Sequence, residues 1–435
     1  MRLAWPIITG QLAVVGMNLV DTIAAGRVSA QVLAEVSIGA AMWGIALLFL
    51  IGTLMALSAE ISSHRGANRR DFAATLAQSL YLSALLSLMA LLYLNCAPAL
   101  MRLAKVDASL ILGASEFLRG IAWGAPALGA YIALLKFCEG MGRSRASLYF
   151  GVAGLLMLTP LAFGFVQGLY GLPRWLAYGC GLATAIVHWL NLIGLGVYVL
   201  VQFRSVDALR RWPAPDFQRI WAIAKLGLPI AVSILMEAGL FYAVLLLMSN
   251  FGKNWVAAHS VALNVSSLAF MMPLGLAHAV TVRCGFALGQ QDKSGVLRAA
   301  KSGWVLCLLS QSVSAGLMLL LAIPIASLYL PNEQAVTLMA AKLLFFAALF
   351  QYPDGIQAVS AGALRGVMDT KVPMLLTSIA YWALGFPLAY YLAFNAGFGP
   401  IGLWCGFILG LSAAAIMLPL RFFYVYERIS STQSP

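Results

Sequence analysis

Residues 33–57 read LAEVSIGAAMWGIALLFLIGTLMAL, a stretch whose single charged side chain is Glu35. A helix that crosses the hydrocarbon core of a bilayer needs about 20 mostly apolar residues, and this stretch supplies them. The whole chain has the same character: 62% of its 435 residues are hydrophobic, 10% are charged, and the mean hydropathy is +0.90. Water-soluble domains are about half apolar and about a quarter charged. The composition therefore excludes a soluble globular protein and predicts an all-α integral membrane protein.

The hydropathy pattern, divided at polar and Gly/Pro-containing gaps, predicts twelve transmembrane helices. Their predicted limits are 6–25, 33–57, 73–100, 114–136, 146–168, 175–201, 226–249, 255–280, 299–328, 337–361, 373–395 and 400–424. The loops between them are short and leave no room for a separate soluble domain. The six cysteines form no CxxC pair, so we interpret them as small apolar residues that fill space between helices.

The net charge of +12 has a membrane explanation. Most of the 27 Lys and Arg lie in the N-terminus, the even-to-odd loops and the C-terminal tail, as Arg65 and Arg143 do. The opposite loops hold few, among them Arg102 and Arg174. Cytoplasmic loops carry the excess of basic residues, so both termini are predicted to be cytoplasmic. The charge pattern gives no support to a nucleic-acid partner.

A weak internal repeat divides the chain into halves. Pro6-Ile7 recurs as Pro229-Ile230 and Gly66 as Gly289; further on, Glu139-Gly140-Met141-Gly142 aligns with Arg365-Gly366-Val367-Met368. Each half then holds six spans, and an even number gives both halves the same orientation in the membrane. The sequence predicts two pseudo-symmetric lobes, residues 1–202 and 226–435, joined by a cytoplasmic linker at 203–225.

Three acidic residues fall inside predicted spans: Asp21, Glu237 and Asp354. A charge in the hydrocarbon region is costly, so such residues usually face a cavity and carry a function. A carboxylate there can bind Na⁺ or take up a proton, and it attracts a cationic substrate. The alternative is a purely structural role, with each carboxylate satisfied by an interhelical hydrogen bond. For Asp21, a local ion pair with Arg27 is a second alternative.

Side chains within about one turn of Glu237 and Asp354 are candidates for substrate binding, since aromatic rings can hold an organic cation by cation–π attraction. They are Phe241, Phe350, Gln351 and Gln357. Packing within the core is the competing interpretation for the two phenylalanines. His188 and His259 are interpreted as hydrogen-bonded helix residues. The sequence has no Walker-type phosphate loop and no HExxH motif, so no enzymatic activity and no cofactor are predicted.

Three strings resemble the multidrug and toxic compound extrusion (MATE) family, in its NorM-type branch. They are Met17-Asn-Leu-Val-Asp-Thr-Ile-Ala-Ala-Gly-Arg27, Thr281-Val-Arg-Cys-Gly-Phe-Ala-Leu-Gly289 and Ala363-Leu-Arg-Gly-Val-Met-Asp-Thr-Lys-Val-Pro-Met374. The resemblance runs nearly end to end. It implies a twelve-helix, two-lobed plasma-membrane transporter that exports cationic, amphipathic compounds in exchange for Na⁺ or H⁺. Glu237 and Asp354 would be its cation-coupling residues, which would bind the metal ion if the coupling ion is Na⁺.

The resemblance also implies a coupling role for Asp21, but the chain departs from the family pattern nearby. Leu158 and Ala162 of span 5 stand where similar transporters tend to carry asparagines. The second lobe is therefore the better candidate for the coupling site. A flippase for lipid-linked oligosaccharides or peptidoglycan precursors is the alternative function, because such proteins share the broader architecture. The coupling ion and the substrate range stay open at this point, and a monomer is expected.

Overall fold

The computed structural model describes residues 3–69, 71–103, 106–169, 171–203, 213–329 and 333–431. All regular secondary structure in these ranges is helical. The α-helices are α1 (Ala4–Gly26), α2 (Ala30–Leu54), α3 (Ala56–Gly66), α4 (Phe72–Leu103), α5 (Ala108–Ala122), α6 (Ala125–Gly140), α7 (Arg145–Gln167), α8 (Leu176–Gln202), α9 (Phe217–Met248), α10 (Lys253–Gly289), α11 (Lys293–Leu320), α12 (Ala322–Tyr329), α13 (Gln334–Gly366), α14 (Lys371–Ser378), α15 (Phe386–Tyr390) and α16 (Gly399–Ser431). A 3₁₀ turn (Ser249–Phe251) and two π-helical segments (Ile379–Gly385 and Tyr391–Asn395) complete them.

Eleven helical segments in the described part of the chain are long and apolar enough to span a membrane. The pair α5 and α6 makes a twelfth span if it is counted as one, with a bend of 51° between the two helices. This confirms the predicted all-helical membrane fold. The predicted span 114–136 is corrected to a bent pair, and the predicted span 299–328 to the two helices α11 and α12.

The bend between α5 and α6 has a local cause. Pro126 lies in the first turn of α6 and has no N–H to donate to Ala122, the last residue of α5. Gly124, in the bend, lies so close to α8 that an added Cβ would meet the Cα of Ala185 at 2.7 Å. The break in the span therefore packs directly against a neighbouring helix.

The chain forms two compact units, Met1–Ala231 and Val232–Pro435, with the division inside α9. Residues 204–212 of the predicted linker lie outside the described residues, and its residues 217–225 form the first turns of α9. Gln78 of α4 holds the segment before α9: it donates to the carbonyl of Ala214 at 2.9 Å and accepts from the N–H of Asp216 at 2.8 Å.

Each unit has its own apolar core, and large apolar side chains also cover much of its surface. Leu50 and Leu57 are fully buried in the first unit, as are Leu343 and Trp404 in the second. Exposed leucine, phenylalanine and tryptophan side chains occur on most of the long helices. Such surfaces suit contact with lipid acyl chains rather than with water.

Short loops connect the long helices, and side-chain caps define some of their ends. Asp292 precedes α11 and accepts hydrogen bonds from the hydroxyl of Ser294 at 2.7 Å and from the N–H of Gly295 at 2.8 Å. These two hydrogen bonds, the one from Ser294 above all, lower the pKa of the exposed Asp292 carboxyl below its usual value. The negative charge also complements the positive end of the helix dipole.

Candidate functional site

Glu237 and Asp354 come together between α9 and α13 of the second unit. Gln357 lies one turn after Asp354 on α13, and its Nε2 donates to Glu237 Oε1 at 3.1 Å and to Asp354 Oδ1 at 3.4 Å. Asp354 and Gln357 are each 3% exposed. One amide group thus joins two acids that are far apart in the sequence. We call Glu237, Asp354 and Gln357 the acid pair site.

The electrostatics of the acid pair site favour uptake of a cation. Two buried carboxylates repel each other when both are ionised, and burial removes the water that would stabilise their charges. Glu237 and Asp354 repel each other when both are ionised. Arg365, in the last turn of α13, attracts Glu237 and offsets part of this repulsion. A proton or a monovalent cation between the carboxylates relieves the remaining repulsion.

The donor set suits a small hard cation. Carboxylate oxygens are ligands that such ions prefer, and the acid pair site offers the carboxyl groups of its two acids. In the described ranges no group of three or more His, Cys, Asp or Glu side chains could hold a metal ion. A metal ion at this site would therefore rest on the two carboxylates.

The predicted aromatic residues form a cluster beside this site. The ring of Phe241 lies 6.0 Å from that of Phe350 and 5.0 Å from that of Phe407. Phe350 is 1% exposed and also packs against Trp404 at 5.9 Å. Phe350 is therefore a core residue in this structure, whereas Phe241 is partly exposed.

Gln351 differs from Gln357 in what it contacts. Its Oε1 accepts from Gln311 Nε2 at 2.6 Å, and its Nε2 donates to the carbonyl of Ser266 at 3.3 Å. These bonds tie α13 to α10 and α11, and Gln351 is fully buried. The structure thus brings Gln357 to the acids and places Gln351 in an interhelical network.

Asp21 belongs to the first unit and makes a separate contact. Thr184 of α8 donates its hydroxyl to Asp21 Oδ2 at 3.1 Å. The guanidinium of Arg27 lies over the ring of Phe163, 5.2 Å from its centroid. Arg27 therefore contacts an aromatic ring instead of forming the ion pair with Asp21 that was the second alternative. Asp21 thus has the interhelical hydrogen bond that a purely structural role would need. Among the described residues, no second acid lies beside it.

The comparison with known proteins decides the family. The MatE family model matches residues 6–163 and 229–391, which together are most of the chain and include Asp21, Glu237 and Asp354. The chain belongs to the MATE family.

The relatives and solved structures agree with this assignment. A probable multidrug resistance protein NorM of Xanthomonas campestris is 39% identical, covering 100% of this chain and 95% of that protein. The multidrug resistance protein PmpM of Pseudomonas aeruginosa is also 39% identical, covering 97% and 90%. A crystal structure of MATE in complex with MaD3S has a TM-score of 0.90 at 19% identity, covering 99% of this chain and 96% of that one. The eukaryotic MATE transporter AtDTX14 has a TM-score of 0.86 at 20% identity, covering 98% and 97%. These structural matches confirm the MATE fold.

One amide of the first unit, that of Asn191, was not predicted from the sequence. Leu158 and Ala162 of α7 are fully buried, but Asn191 of α8 reaches into the space beside Gly154 of α7. An added Cβ on Gly154 would meet Asn191 Nδ2 at 2.8 Å. The sequence does show an asparagine in one apolar span and a glycine in the preceding one. That the two residues lie together becomes evident only from the packing of α7 against α8.

Two histidines, one in each unit, also differ from the sequence-based interpretation. His259 is fully buried, and within the described residues neither of its ring nitrogens has a hydrogen-bond partner. The expectation of a hydrogen-bonded His259 is therefore wrong; its ring packs edge-on against Trp404 at 5.6 Å. His188 Nε2 likewise lacks a partner in the described part of the chain, and its ring stacks on Trp43. Apolar and aromatic neighbours surround both imidazoles because they lie in densely packed helix interfaces.

Proposed function

We propose that this chain is a multidrug efflux transporter that exports cationic, amphipathic compounds in antiport with Na⁺ or H⁺. The names of the full-length relatives support efflux of drugs. The observation that carries the coupling proposal is the acid pair site, in which Gln357 joins Glu237 and Asp354 inside an apolar helical unit. Two carboxylates held this close together are suited to bind a cation reversibly.

Alternating access would use this site as follows. With both acids ionised, the site attracts an organic cation or the coupling ion. When a proton or Na⁺ occupies the pair, its negative charge is reduced and an organic cation binds more weakly. By linkage, the coupling ion that favours release of the drug must itself bind better to the drug-free state. The partly exposed ring of Phe241 would supply apolar and cation–π contacts to the substrate.

We place the transporter in the bacterial inner membrane, since the relatives are bacterial and the chain has many spans. The basic residues of the predicted even-to-odd loops support cytoplasmic termini. We propose a monomer as the working unit because each chain already contains two units with their own cores.

The test is efflux of a fluorescent cationic dye from proteoliposomes with a Na⁺ gradient and a pH gradient imposed separately. We expect one gradient to drive flux and Glu237→Gln or Asp354→Asn to abolish it. Glu333→Gln is the matched control, because Glu333 precedes the same helix α13, is exposed and makes no capping bond with its side chain. Gradient-driven flux that survives both neutralising substitutions would refute the coupling assignment. Intact protein without dye flux under either gradient would favour the lipid-linked precursor flippase.

A further inference from the structure

A groove on the surface of the second unit lies outside the acid pair site. It opens between the end of α11, the start of α12 and the first turns of α13, and its volume is about 490 Å³. Volumes of roughly 300–1,000 Å³ are usual for sites that hold small ligands. We call it the α12–α13 groove. A single charged side chain interrupts its apolar lining, which consists chiefly of Leu319, Leu320, Ile323, Pro324, Leu338 and Lys342.

The groove opens on an apolar face of α13. Leu338, Phe345 and Leu349 are 48%, 50% and 46% exposed. Lys342 lies between them in the sequence, and steps of four, three and four residues place all four side chains on one face of the helix. Ionisable residues within membrane spans usually face the interior of the protein. A lysine on a face that is covered with exposed apolar side chains therefore calls for an anion on that face.

The described part of the chain does not supply this anion. Lys342 is exposed, and no hydrogen bond, ion pair or cation–π contact joins it to another described residue. Glu333, which precedes the same helix, is exposed and forms no ion pair with it among the described residues. All three N–H donors of the ammonium group are thus available to a ligand.

The position of Lys342 along α13 brings its ammonium group to the level of lipid headgroups. Lys342 is eight residues after Gln334, where α13 begins, a distance of about 12 Å along the helix. Helical side chains lean toward the N-terminus of their helix, which is the end of α13 nearest the membrane surface. A lysine so placed keeps its methylene groups among acyl chains and extends its charge to the headgroups. The anion that it meets there is a lipid phosphate.

The opposite wall of the groove carries a hydrogen-bond acceptor. Pro324, in the first turn of α12, has no N–H, so the carbonyl of Leu320 cannot receive the α-helical hydrogen bond from four residues on. The carbonyl of Leu321 does receive one, from the N–H of Ile325 at 2.8 Å. Backbone groups that face lipid without a partner are costly. A headgroup with hydroxyl groups can donate to the Leu320 carbonyl from within the groove.

We propose that the α12–α13 groove binds one anionic phospholipid, with its phosphate on Lys342 and an acyl chain along the leucines of the groove. Phosphatidylglycerol fits both walls, because its net charge is negative and its headgroup carries hydroxyl groups for the Leu320 carbonyl. With the cytoplasmic termini proposed above, this lipid belongs to the outer leaflet. The binding does not depend on the coupling role of Glu237 and Asp354.

The test is native mass spectrometry of the purified protein in detergent, with phosphatidylglycerol and phosphatidylcholine of the same acyl chains titrated separately. We expect the wild type to bind one phosphatidylglycerol more tightly than any phosphatidylcholine. Lys342→Ala should weaken phosphatidylglycerol binding about fivefold, the contribution of one basic residue at a membrane surface, and leave phosphatidylcholine binding unchanged. Lys342→Arg should keep the wild-type affinity. Equal binding of the two lipids by the wild type would overturn the inference without recourse to any variant.

Lys253→Ala is the matched control for charge. Lys253 is also exposed, begins α10 on the same side of the membrane as the start of α13, and does not line the groove. It should leave the affinity for phosphatidylglycerol unchanged. Equal losses in Lys253→Ala and Lys342→Ala would indicate a general attraction by positive charge and would contradict a site in the groove.

Two further measurements examine the acyl chain. Ala341 lines the groove beside Lys342, so Ala341→Phe fills the apolar space and keeps the ammonium group. It should weaken phosphatidylglycerol binding as Lys342→Ala does, while the melting temperature of the lipid-free variant confirms that it is folded. Glycerol 3-phosphate, a soluble headgroup without acyl chains, should not displace the lipid. Displacement by glycerol 3-phosphate, or full lipid affinity in a folded Ala341→Phe, would refute a lipid site.

Discussion

The two units repeat the same helix-end geometry but carry different charges on it. In the first unit, α6 ends at Gly140 and Gly142 adopts a left-handed conformation with φ 77°. In the second unit, α13 ends at Gly366 and Met368 adopts φ 63° at the equivalent position. The earlier repeated pair shows the same agreement, since Asn68 and Gln291 have φ 54° and 60°.

The charges near these helix ends differ. In the first unit, Lys136 and Glu139 form a buried ion pair with Nζ and Oε2 2.8 Å apart. Arg365 stands at the repeat position of Glu139, and its charge acts on Glu237. The comparison teaches that the repeat preserves backbone geometry, whereas each unit places its ionisable groups independently.

The acid pair site follows this rule. By the same alignment Glu237 corresponds to Val14 and Asp354 to Leu128, so neither acid has an acidic counterpart in the first unit. Asp21 in turn corresponds to Val244, a buried core residue of the second unit. The acid pair site thus has no acidic counterpart at the repeat positions of the first unit.

The largest expected effect tests this asymmetry of function. Asp354→Asn should lower gradient-driven dye flux by about three orders of magnitude, a loss of about 4 kcal/mol in transition-state terms, because coupling requires the second carboxylate. Asp21→Asn should lower it less than about tenfold, since Asp21 has a hydroxyl partner but no second acid. Initial rates in proteoliposomes at equal protein content measure both. Equal losses in the two variants would contradict the asymmetry.

The next effect concerns the ion pair of the first unit. Lys136→Met should lower the free energy of unfolding by about 3 kcal/mol, because it removes the cation that lies 2.8 Å from the buried Glu139 carboxylate. Lys136→Met combined with Glu139→Gln should recover much of this loss, since both charges of the pair are then absent. Thermal unfolding in detergent measures the series. Recovery would fail to appear if the two side chains contributed independently.

A third comparison concerns the close approach of helices at the two repeated glycines. An added Cβ on Gly366 would meet the Cβ of Cys284 at 2.6 Å and the carbonyl of Thr281 at 2.7 Å. An added Cβ on Gly140 would meet the Cβ of Ile61 at 2.8 Å.

Gly366→Ala should therefore destabilise the protein by about 2 kcal/mol, since backbone and core atoms must move. Gly316→Ala in α11 is the control: no atom lies within 4 Å of its added Cβ, so a gain of about 0.5 kcal/mol is expected. Unfolding midpoints of the two variants that move in the same direction would contradict this account.

The sequence could predict the fold and the two acids because both depend on strong, local signals. Long apolar stretches specify spans, and a carboxylate within one is conspicuous, as with Glu237 and Asp354. The break between α5 and α6 could not be seen in the hydropathy, since both pieces are apolar and Pro126 is also compatible with a continuous, kinked span. The long reach of α9, which begins at Phe217, was missed because its first turns are polar enough to resemble a linker.

Contacts between helices explain what else the sequence left undetermined. Gln351 and Gln357 are six residues apart and chemically the same, and only the neighbouring helices decide which one reaches the acids. Side-chain roles of this kind depend on helix packing, which hydropathy and residue spacing do not specify.

The smallest expected effect comes from the residue type at one repeated position. Met368 adopts φ 63°, a conformation that is strained for a residue with a Cβ, while Gly142 occupies the same position in the first unit with φ 77°. Met368→Gly should therefore raise the free energy of unfolding by up to about 1 kcal/mol, because glycine adopts the left-handed conformation without steric cost. The opposite kind of change, Gly142→Ala, should lower the free energy of unfolding by a similar amount, because alanine is strained in the left-handed conformation. The added Cβ would also meet the Arg65 guanidinium, but this flexible group can move aside. Unfolding midpoints in detergent, measured for both variants, decide the matter. A destabilising effect of Met368→Gly would contradict this prediction, because the packing of the Met368 side chain would then stabilise the protein by more than its backbone conformation costs. The two helix ends would in that case share their geometry but differ in stability.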